Sequence, residues 1–71
     1  MIKQTKTFFL NGQEYRIYKR ISLNELISYF DYNSALLVLE YNNFICNKKN
    51  WNKIFITNKD KIEIVTIVGG G

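Results

Sequence analysis

The sequence has 71 residues, a length that allows one small domain and leaves a single hydrophobic core only marginally stabilising. Apolar residues make up 46% of it and aromatic residues 15%, which excludes an intrinsically disordered chain because enough surface can be buried. The formal net charge is +4, but the basic residues are spread along the chain. The sequence is also rich in asparagine, isoleucine and lysine, whose codons are AT-rich. An AT-rich coding sequence therefore explains the positive charge better than nucleic-acid binding does.

Membrane, catalytic and metal-binding functions also find little support in the residues present. The longest uninterrupted apolar run, residues 35–39, is far shorter than a membrane span, and no amino-terminal signal peptide is visible, so we expect the protein to stay in the compartment where it is made. Cys46 is the only cysteine and there is no histidine. The sequence therefore predicts a reducing compartment, no catalytic residue, no metal site, and a packing role for Cys46.

The chain begins with a predicted hairpin. Residues 5–10 and 14–18 are two β-prone runs, and Asn11-Gly12 separates them. Because both of these residues tolerate a positive φ, Asn-Gly is the strongest short signal for a hairpin. The first two strands are therefore expected to pair with each other.

A single helix is predicted next. Ser22 and Glu25 have the spacing of a capping box, in which each side chain bonds to the other residue's backbone amide. The apolar residues that follow recur with helical spacing on one face: Leu23, Leu26, Ile27 and Phe30. The helix is expected to end near residues 31–33 and to serve a structural role.

Two further strands are predicted after the helix. Residues 35–41 are apolar at nearly every position, as in a strand that is flanked by neighbours and covered on one face. Asn42-Asn43 makes a turn because asparagine accepts the left-handed region, and residues 44–46 return as a short fourth strand.

The segment before the last strand has weaker signals. Residues 47–52 are polar except for Trp51, which indicates an irregular connection or one helical turn with the indole folded onto the core. The alternative is that Trp51 anchors a partner. Residues 54–56 are expected to form an extended piece, and residues 58–60 a turn.

The final predicted strand, residues 61–68, has two different faces. Alternation places Lys61 and Glu63 on the same face as Val65 and Ile67. Because the charged residues require water, Val65 and Ile67 are candidate exposed residues of a partner-binding patch. The alternative, that both faces are covered at this end of the strand, remains open at this point.

Three glycines, Gly69, Gly70 and Gly71, follow this strand without a linker. Glycine has no Cβ to block a narrow channel, and three extended residues reach on the order of 10 Å. We therefore predict a folded domain over residues 1–68 and a flexible tail over residues 69–71. In this tail Gly69 and Gly70 contact a partner, and the carboxylate of Gly71 is the working group.

The order of elements predicts an α+β fold. A hairpin, a helix, two short strands and a final strand give β-β-α-β-β-β, and the helix can bury its apolar face only against the sheet. Because the helix is a crossover, a later strand can lie parallel to an earlier one. We expect a mixed sheet of four to five strands with the final strand beside the first.

Residues 7–71 resemble the ubiquitin-like β-grasp sulfur carriers, specifically the ThiS-type carriers of thiamine biosynthesis. The family's terminal glycine pair corresponds to Gly70 and Gly71. Two differences are the first six residues, which extend past the usual start, and Lys59, where a glycine is common. The matching motifs are Asn11-Gly12, Ser22-Leu23-Asn24-Glu25-Leu26-Ile27, Val38-Leu39-Glu40-Tyr41-Asn42-Asn43, Asp60-Lys61-Ile62-Glu63-Ile64 and Val68-Gly69-Gly70-Gly71.

This resemblance implies a carrier that is not itself an enzyme. A ThiF-type adenylating enzyme would use ATP and Mg²⁺ to join the carboxylate of Gly71 to AMP, and a cysteine desulfurase or transfer protein would supply sulfur to form a thiocarboxylate. Thiazole synthase would then accept the sulfur. The chain itself is expected to bind no cofactor, nucleic acid or membrane, and to reside in a plastid stroma or a bacterial cytoplasm.

Three alternatives remain open. The small subunit of molybdopterin synthase and the ubiquitin-like protein modifiers share the fold and the glycine tail. A basic nucleic-acid-binding module is the alternative from a different class, and it would need basic and aromatic side chains interleaved on one sheet face. The pattern of this kind is Arg16, Tyr18 and Arg20 on the second strand.

Overall fold

The computed structural model of the protein describes residues 4–67. Two single turns of 3-10 helix, Ser34–Leu36 and Lys48–Asn50, accompany the regular elements. The regular elements are β1 (Lys6–Leu10), β2 (Gln13–Ile17), α1 (Leu23–Tyr29), β3 (Leu37–Tyr41), β4 (Phe44–Ile45) and β5 (Asp60–Thr66). The predicted glycine tail, residues 69–71, and residue 68 lie outside the described part of the chain.

The five strands form one mixed sheet with the order β2-β1-β5-β3-β4. The central strand, β5, is parallel to β1 and antiparallel to β3. The predicted α+β architecture is therefore confirmed, including the placement of the final strand beside the first. Within residues 4–67, no helix has the length and apolar composition that a membrane crossing requires.

Both hairpins close on two residues with positive φ. Asn11 and Gly12 have φ of 50° and 81°, and Asn42 and Asn43 have φ of 51° and 74°. Each hairpin also reaches the central strand, because the side-chain oxygen of Asn11 accepts a bond from the Ile64 amide at 2.7 Å and that of Asn42 accepts one from Lys61 at 2.8 Å. The turn residues thus fix the position of β5 as well as the local chain reversal.

The helix begins with the predicted capping box. The Glu25 amide donates to Ser22 Oγ at 3.1 Å, and the Ser22 amide donates to Glu25 Oε1 at 2.9 Å, an arrangement worth about 1 kcal/mol to a helix start. The helix ends at Tyr29, slightly earlier than predicted. Asp31 has φ of 59°, and this left-handed residue ends the helical path.

The core lies between the helix and one face of the sheet. Trp51 is 2% exposed and its indole Nε1 donates to the Cys46 carbonyl at 3.0 Å, so its predicted core position is confirmed. Cys46 is partly buried against the same core, in line with a packing role. The buried apolar residues are Phe8, Leu10, Leu23, Leu26, Ile27, Leu37, Leu39, Trp51, Ile56, Ile62 and Ile64.

Several predicted strand limits were wrong. The third strand begins at Leu37, because the Ala35 amide bonds to the side chain of Asn33 at 3.1 Å and starts a 3-10 turn. The fourth strand ends at Ile45, one residue early. The extended piece predicted for residues 54–56 is confirmed, since an antiparallel bridge joins Phe55 to Ser22 and the Ile56 amide bonds to the Ile21 carbonyl at 3.0 Å.

Asp60, predicted to lie in a turn, is instead the buried first residue of β5. Its carboxylate accepts bonds from the Thr57 amide at 2.7 Å, Thr57 Oγ1 at 2.9 Å, Tyr41 Oη at 2.6 Å and Asn42 Nδ2 at 3.1 Å. Desolvation by burial raises the pKa of Asp60, but the bonds from Thr57, Tyr41 and Asn42 outweigh it and hold this pKa below its usual value. Burial and the Asp60 carboxylate raise the pKa of Tyr41 to about 12.

Candidate functional site

The helix covers one face of the sheet and leaves the opposite face open around β5. On β5 the helix-side residues Ile62 and Ile64 are buried, whereas Val65 is 59% exposed on the other face. Ile67, just past the strand, is 53% exposed. The alternative that both faces are covered at this end of the strand is therefore wrong. Val65 and Ile67 are both accessible to solvent, as their alternation with Lys61 and Glu63 indicated.

Neighbouring strands extend this apolar surface. Val38 lies directly opposite Val65 in the antiparallel ladder, and Ile45 lies opposite Glu40, two residues from Val38 on the same face. Ile45 is 74% exposed. We call Val38, Ile45, Val65 and Ile67 the open-face patch. Sequence reasoning missed Ile45 because alternation is not readable in a two-residue strand.

Charged groups border the patch on the side away from the tail. Glu40 and Glu63 lie opposite each other on β3 and β5, and Lys61 Nζ is 4.0 Å from a Glu63 oxygen. Like charges directly opposite each other repel, so this end of the face favours water or a cation over an apolar partner. The open face is therefore apolar near the carboxyl end of β5 and charged at the other end.

The last described residue is held at a defined point. The Ile67 amide donates to the Leu36 carbonyl at 2.6 Å, which extends the pairing of β5 with β3 beyond Thr66. Residues that follow Ile67 therefore start from the border of the open-face patch. Gly69, Gly70 and Gly71 lie outside the described residues, so their roles as contact residues and modified residue remain predictions.

Comparison with known proteins identifies the family. The ThiS family model matches residues 8–71. The chain belongs to the ThiS family. The predicted resemblance to ThiS-type, ubiquitin-like sulfur carriers is therefore confirmed.

Curated relatives of this ThiS-family chain match along nearly their whole lengths. The uncharacterized protein ycf40 of Trieres chinensis is 71% identical over 70 residues, which are 99% of this chain and 96% of that protein. The uncharacterized ycf40 proteins of Porphyra purpurea and Pyropia yezoensis are each 34% identical over 71 residues, the full length of both partners in each comparison.

A solved structure supports the same fold. The crystal structure of the thiamine biosynthesis protein ThiS from Geobacter metallireducens is similar with a TM-score of 0.78 and 18% identity. The match covers 92% of this chain and 99% of that chain. At this identity the likeness establishes the fold, and it confirms the predicted β-grasp arrangement of one helix on a mixed sheet.

The interleaved basic pattern considered for nucleic-acid binding is absent from the second strand. This strand ends at Ile17, so Tyr18 and Arg20 lie beyond it. Arg16 contacts Glu14 at 3.5 Å, and the Arg20 guanidinium lies 4.1 Å from the centre of the Phe55 ring. The nucleic-acid hypothesis required basic and aromatic side chains in a row on one sheet face. The second strand does not present such a row.

Acidic and cysteine side chains are the remaining candidates for site chemistry in the described part of this ThiS-family chain. Over residues 4–67 no group of three or more acidic or cysteine side chains is placed to hold a metal ion. Cys46 is partly buried, and burial raises the pKa of its thiol, which disfavours the reactive thiolate. The open-face patch and the fixed position of Ile67 are the features that the fold offers to a partner.

Proposed function

We propose that the protein is a sulfur carrier for thiazole formation in thiamine biosynthesis, and that the Gly71 carboxylate is the group that carries the sulfur. The observation that supports this most directly is the position of β5. Its carboxyl end is hydrogen-bonded at Ile67 beside an exposed apolar patch, and Val68 and three glycines come next in the sequence. Membership of the ThiS family supports the same assignment.

The proposed chemistry begins with activation of the carboxylate. A terminal carboxyl group has a reference pKa of about 3.5, so it is ionised at neutral pH and does not react with a sulfur nucleophile. In the adenylating partner, a Gly71 oxygen attacks the α-phosphorus of ATP, pyrophosphate leaves, and an acyl adenylate forms. ATP and Mg²⁺ are bound by that partner and serve as its substrate and metal.

Sulfur then replaces the adenylate. The outer sulfur of a donor persulfide attacks the Gly71 carbonyl carbon and AMP leaves, which forms an acyl disulfide. A second thiol attacks the donor's sulfur, forms a disulfide with the donor and releases the Gly71 thiocarboxylate. The carrier is thus a co-substrate, regenerated when thiazole synthase takes the sulfur, and it supplies no catalytic group of its own.

The partner contacts of this proposal use the surface and the tail together. Val65 and Ile67 provide apolar contacts to the adenylating enzyme and to thiazole synthase, while Gly69 and Gly70 pass through the narrow entrance of each active site. We place the protein in the plastid stroma, which its similarity to the ycf40 proteins of three algae supports.

Intact mass spectrometry tests the proposal. The protein is incubated with a ThiF-type adenylating enzyme, ATP, Mg²⁺ and a cysteine desulfurase with cysteine. We expect the mass to increase by the difference between one sulfur and one oxygen atom, and to stay unchanged when ATP is omitted. An unchanged mass in the complete mixture, with the same enzymes modifying their own carrier, would contradict the proposed function.

Val65→Ser is expected to weaken binding of the adenylating enzyme by roughly 5- to 30-fold, since loss of one apolar contact at an interface costs about 1–2 kcal/mol. The fold should be retained because the side chain is 59% exposed. The dissociation constant is measured by titration calorimetry. Tyr29→Ser, which alters an 82% exposed residue on the helix, is the control and should leave the constant unchanged. Equal dissociation constants for the two variants would show that Val65 does not contribute to the interface.

A further inference from the structure

The sheet has an incomplete edge next to β4. The Ile67 amide bonds to the Leu36 carbonyl and the Asn42 amide bonds to the Lys61 carbonyl, so alternate residues of β3 direct their backbone groups towards β5. In an antiparallel ladder the backbone groups of successive residues point to opposite sides of the strand. The N–H and C=O groups of Leu37 and Leu39 therefore point away from β5 and towards β4. The backbone of β3 therefore requires a partner on that side at Leu37.

β4 is too short to supply that partner. It pairs Phe44 with Tyr41 and Ile45 with Glu40, and the Cys46 amide still bonds to the Leu39 carbonyl at 2.8 Å. The chain then turns away into the 3-10 turn Lys48–Asn50, so no strand lies beside Leu37 in the described chain. The Leu37 amide closes the 3-10 turn Ser34–Leu36. The Leu37 carbonyl faces an open groove, which is a position where an added strand gains a hydrogen bond.

This groove has both apolar and basic lining. Ala35, Val38 and Ile45 contribute apolar side chains to it, and Lys48 contributes a basic one. Ala35 precedes Leu36, whose carbonyl accepts the bond from the Ile67 amide on the other side of β3. A polypeptide lying in the groove would therefore be one strand away from Ile67, the last residue that the structure describes.

The basic surface has charges without internal partners. Lys48, Lys49 and Lys53 make no ion pair with any acidic side chain of residues 4–67. Their backbone is held rigidly, since the Lys49 amide bonds to Asn47 Oδ1 at 3.1 Å and the buried Trp51 accepts a bond from the Asn24 amide at 3.2 Å. A fixed group of unpaired cations at the end of a groove is complementary to negative charge.

We propose that this groove binds an extended, acidic segment of the enzyme that activates the carboxylate of Gly71. The segment adds to the sheet edge through the backbone carbonyl of Leu37, an apolar side chain contacts Val38 and Ile45, and its carboxylates contact Lys48 and Lys49. The inference rests on the proposed function. It adds to it a contact on the β4 side of the open-face patch, next to Val65 and Ile67, that aligns the carrier beside the enzyme's active site.

Charge reversal tests the acidic contact. Lys48→Glu is compared with Lys19→Glu, an equal change of charge at another exposed lysine, and adenylation is followed by ATP–pyrophosphate exchange with the ThiF-type enzyme. We expect Lys48→Glu to raise KM at least tenfold at low ionic strength, to leave kcat unchanged, and to weaken the salt dependence of kcat/KM. Lys19→Glu should stay within about twofold of wild type because Lys19 follows β2, which lies at the opposite edge of the sheet from β4.

Amide hydrogen exchange tests the added strand. In the free protein the Leu37 amide is held by the single 3-10 turn Ser34–Leu36, so its exchange should slow when an added strand covers it in the complex. The Val38 amide is directed towards β5 and should be equally protected in both states. If the enzyme adenylates Lys48→Glu with the wild-type KM and the Leu37 amide gains no protection in the complex, the inference is wrong and the proposed function stands. If an adenylating enzyme that is active on the carrier of its own organism does not adenylate the wild-type protein, the proposed function is wrong. The inference, which rests on that function, is then wrong as well.

Discussion

Removal of Gly71 is expected to lower kcat/KM for adenylation by at least about 100-fold, because a reacting group displaced by even 1 Å loses roughly that factor. The shortened chain still ends in a glycine carboxylate, but that group lies about 3.5 Å, one residue, short of the position it must reach. The proposed function depends on this reach, since the tail starts from a fixed hydrogen bond at Ile67.

The measurement is ATP–pyrophosphate exchange on full-length and shortened proteins, together with thermal unfolding. The unfolding temperature should not change, because Gly71 follows the last described residue by four positions and has no side chain to bury. Gly71→Ala is the matched control. It keeps the length of the tail and adds only a methyl group, so it should retain more activity than the deletion. A shortened protein that forms the acyl adenylate at the wild-type rate would show that Gly71 is not the activated residue.

Asp60→Asn is expected to lower the free energy of unfolding by about 2–4 kcal/mol. The buried carboxylate accepts bonds from Thr57, Tyr41 and Asn42. An asparagine presents an NH₂ group in place of one oxygen, so two donors would face each other in a buried position. The loss is large for a small domain, whose whole stability is on the order of 5–10 kcal/mol.

The same substitution should change the response to acid. The pKa of Asp60 in the folded protein lies below that of the unfolded chain, which is about 3.9. Its contribution to stability is therefore fully present above the unfolded pKa and is lost as the pH falls through the folded pKa. Asp60→Asn lacks this contribution, so its stability should fall less between pH 5 and the acid limit than that of the wild type.

Urea denaturation at pH 7 and across the acid range measures both effects. Glu14→Gln is the control, because this exposed carboxylate lies 3.5 Å from Arg16 Nε and a surface pair of this kind contributes at most about 1 kcal/mol. Coincident urea curves for Asp60→Asn and the wild type at pH 7 would show that the buried hydrogen bonds of Asp60 contribute no net stability.

These two predictions concern opposite ends of the same strand. β5 is anchored at its start by Asp60 and at its end by the bond from Ile67 to Leu36, and it pairs with a strand on each side. Ile67, the last described residue, is therefore held by the central strand of the sheet. In the proposed carrier this arrangement would keep the open-face patch and the start of the tail in a fixed relation to each other.

The sequence by itself determined the elements whose signals are local. The two turns follow from the tolerance of Asn11, Gly12, Asn42 and Asn43 for positive φ, and the helix start follows from two side chains three residues apart. The sequence predicted the exposure of Val65 only as one of two alternatives. Alternation places Val65 on the same face as Lys61 and Glu63, but it does not show whether another part of the chain covers that face.

Only the tertiary structure decided the features that depend on distant partners. Asp60 resembled an ordinary turn residue because Tyr41 and Asn42, which bury and bind it, precede it by nearly twenty positions. The exposure of Ile45 and the open position beside Leu37 depend on where β4 stops, and after Cys46, whose carbonyl accepts a bond from the Trp51 indole, the chain enters the 3-10 turn Lys48–Asn50. Turn and cap energies are set within a few residues and are visible in the sequence, whereas strand limits and burial are set by contacts that exist only after the chain has folded.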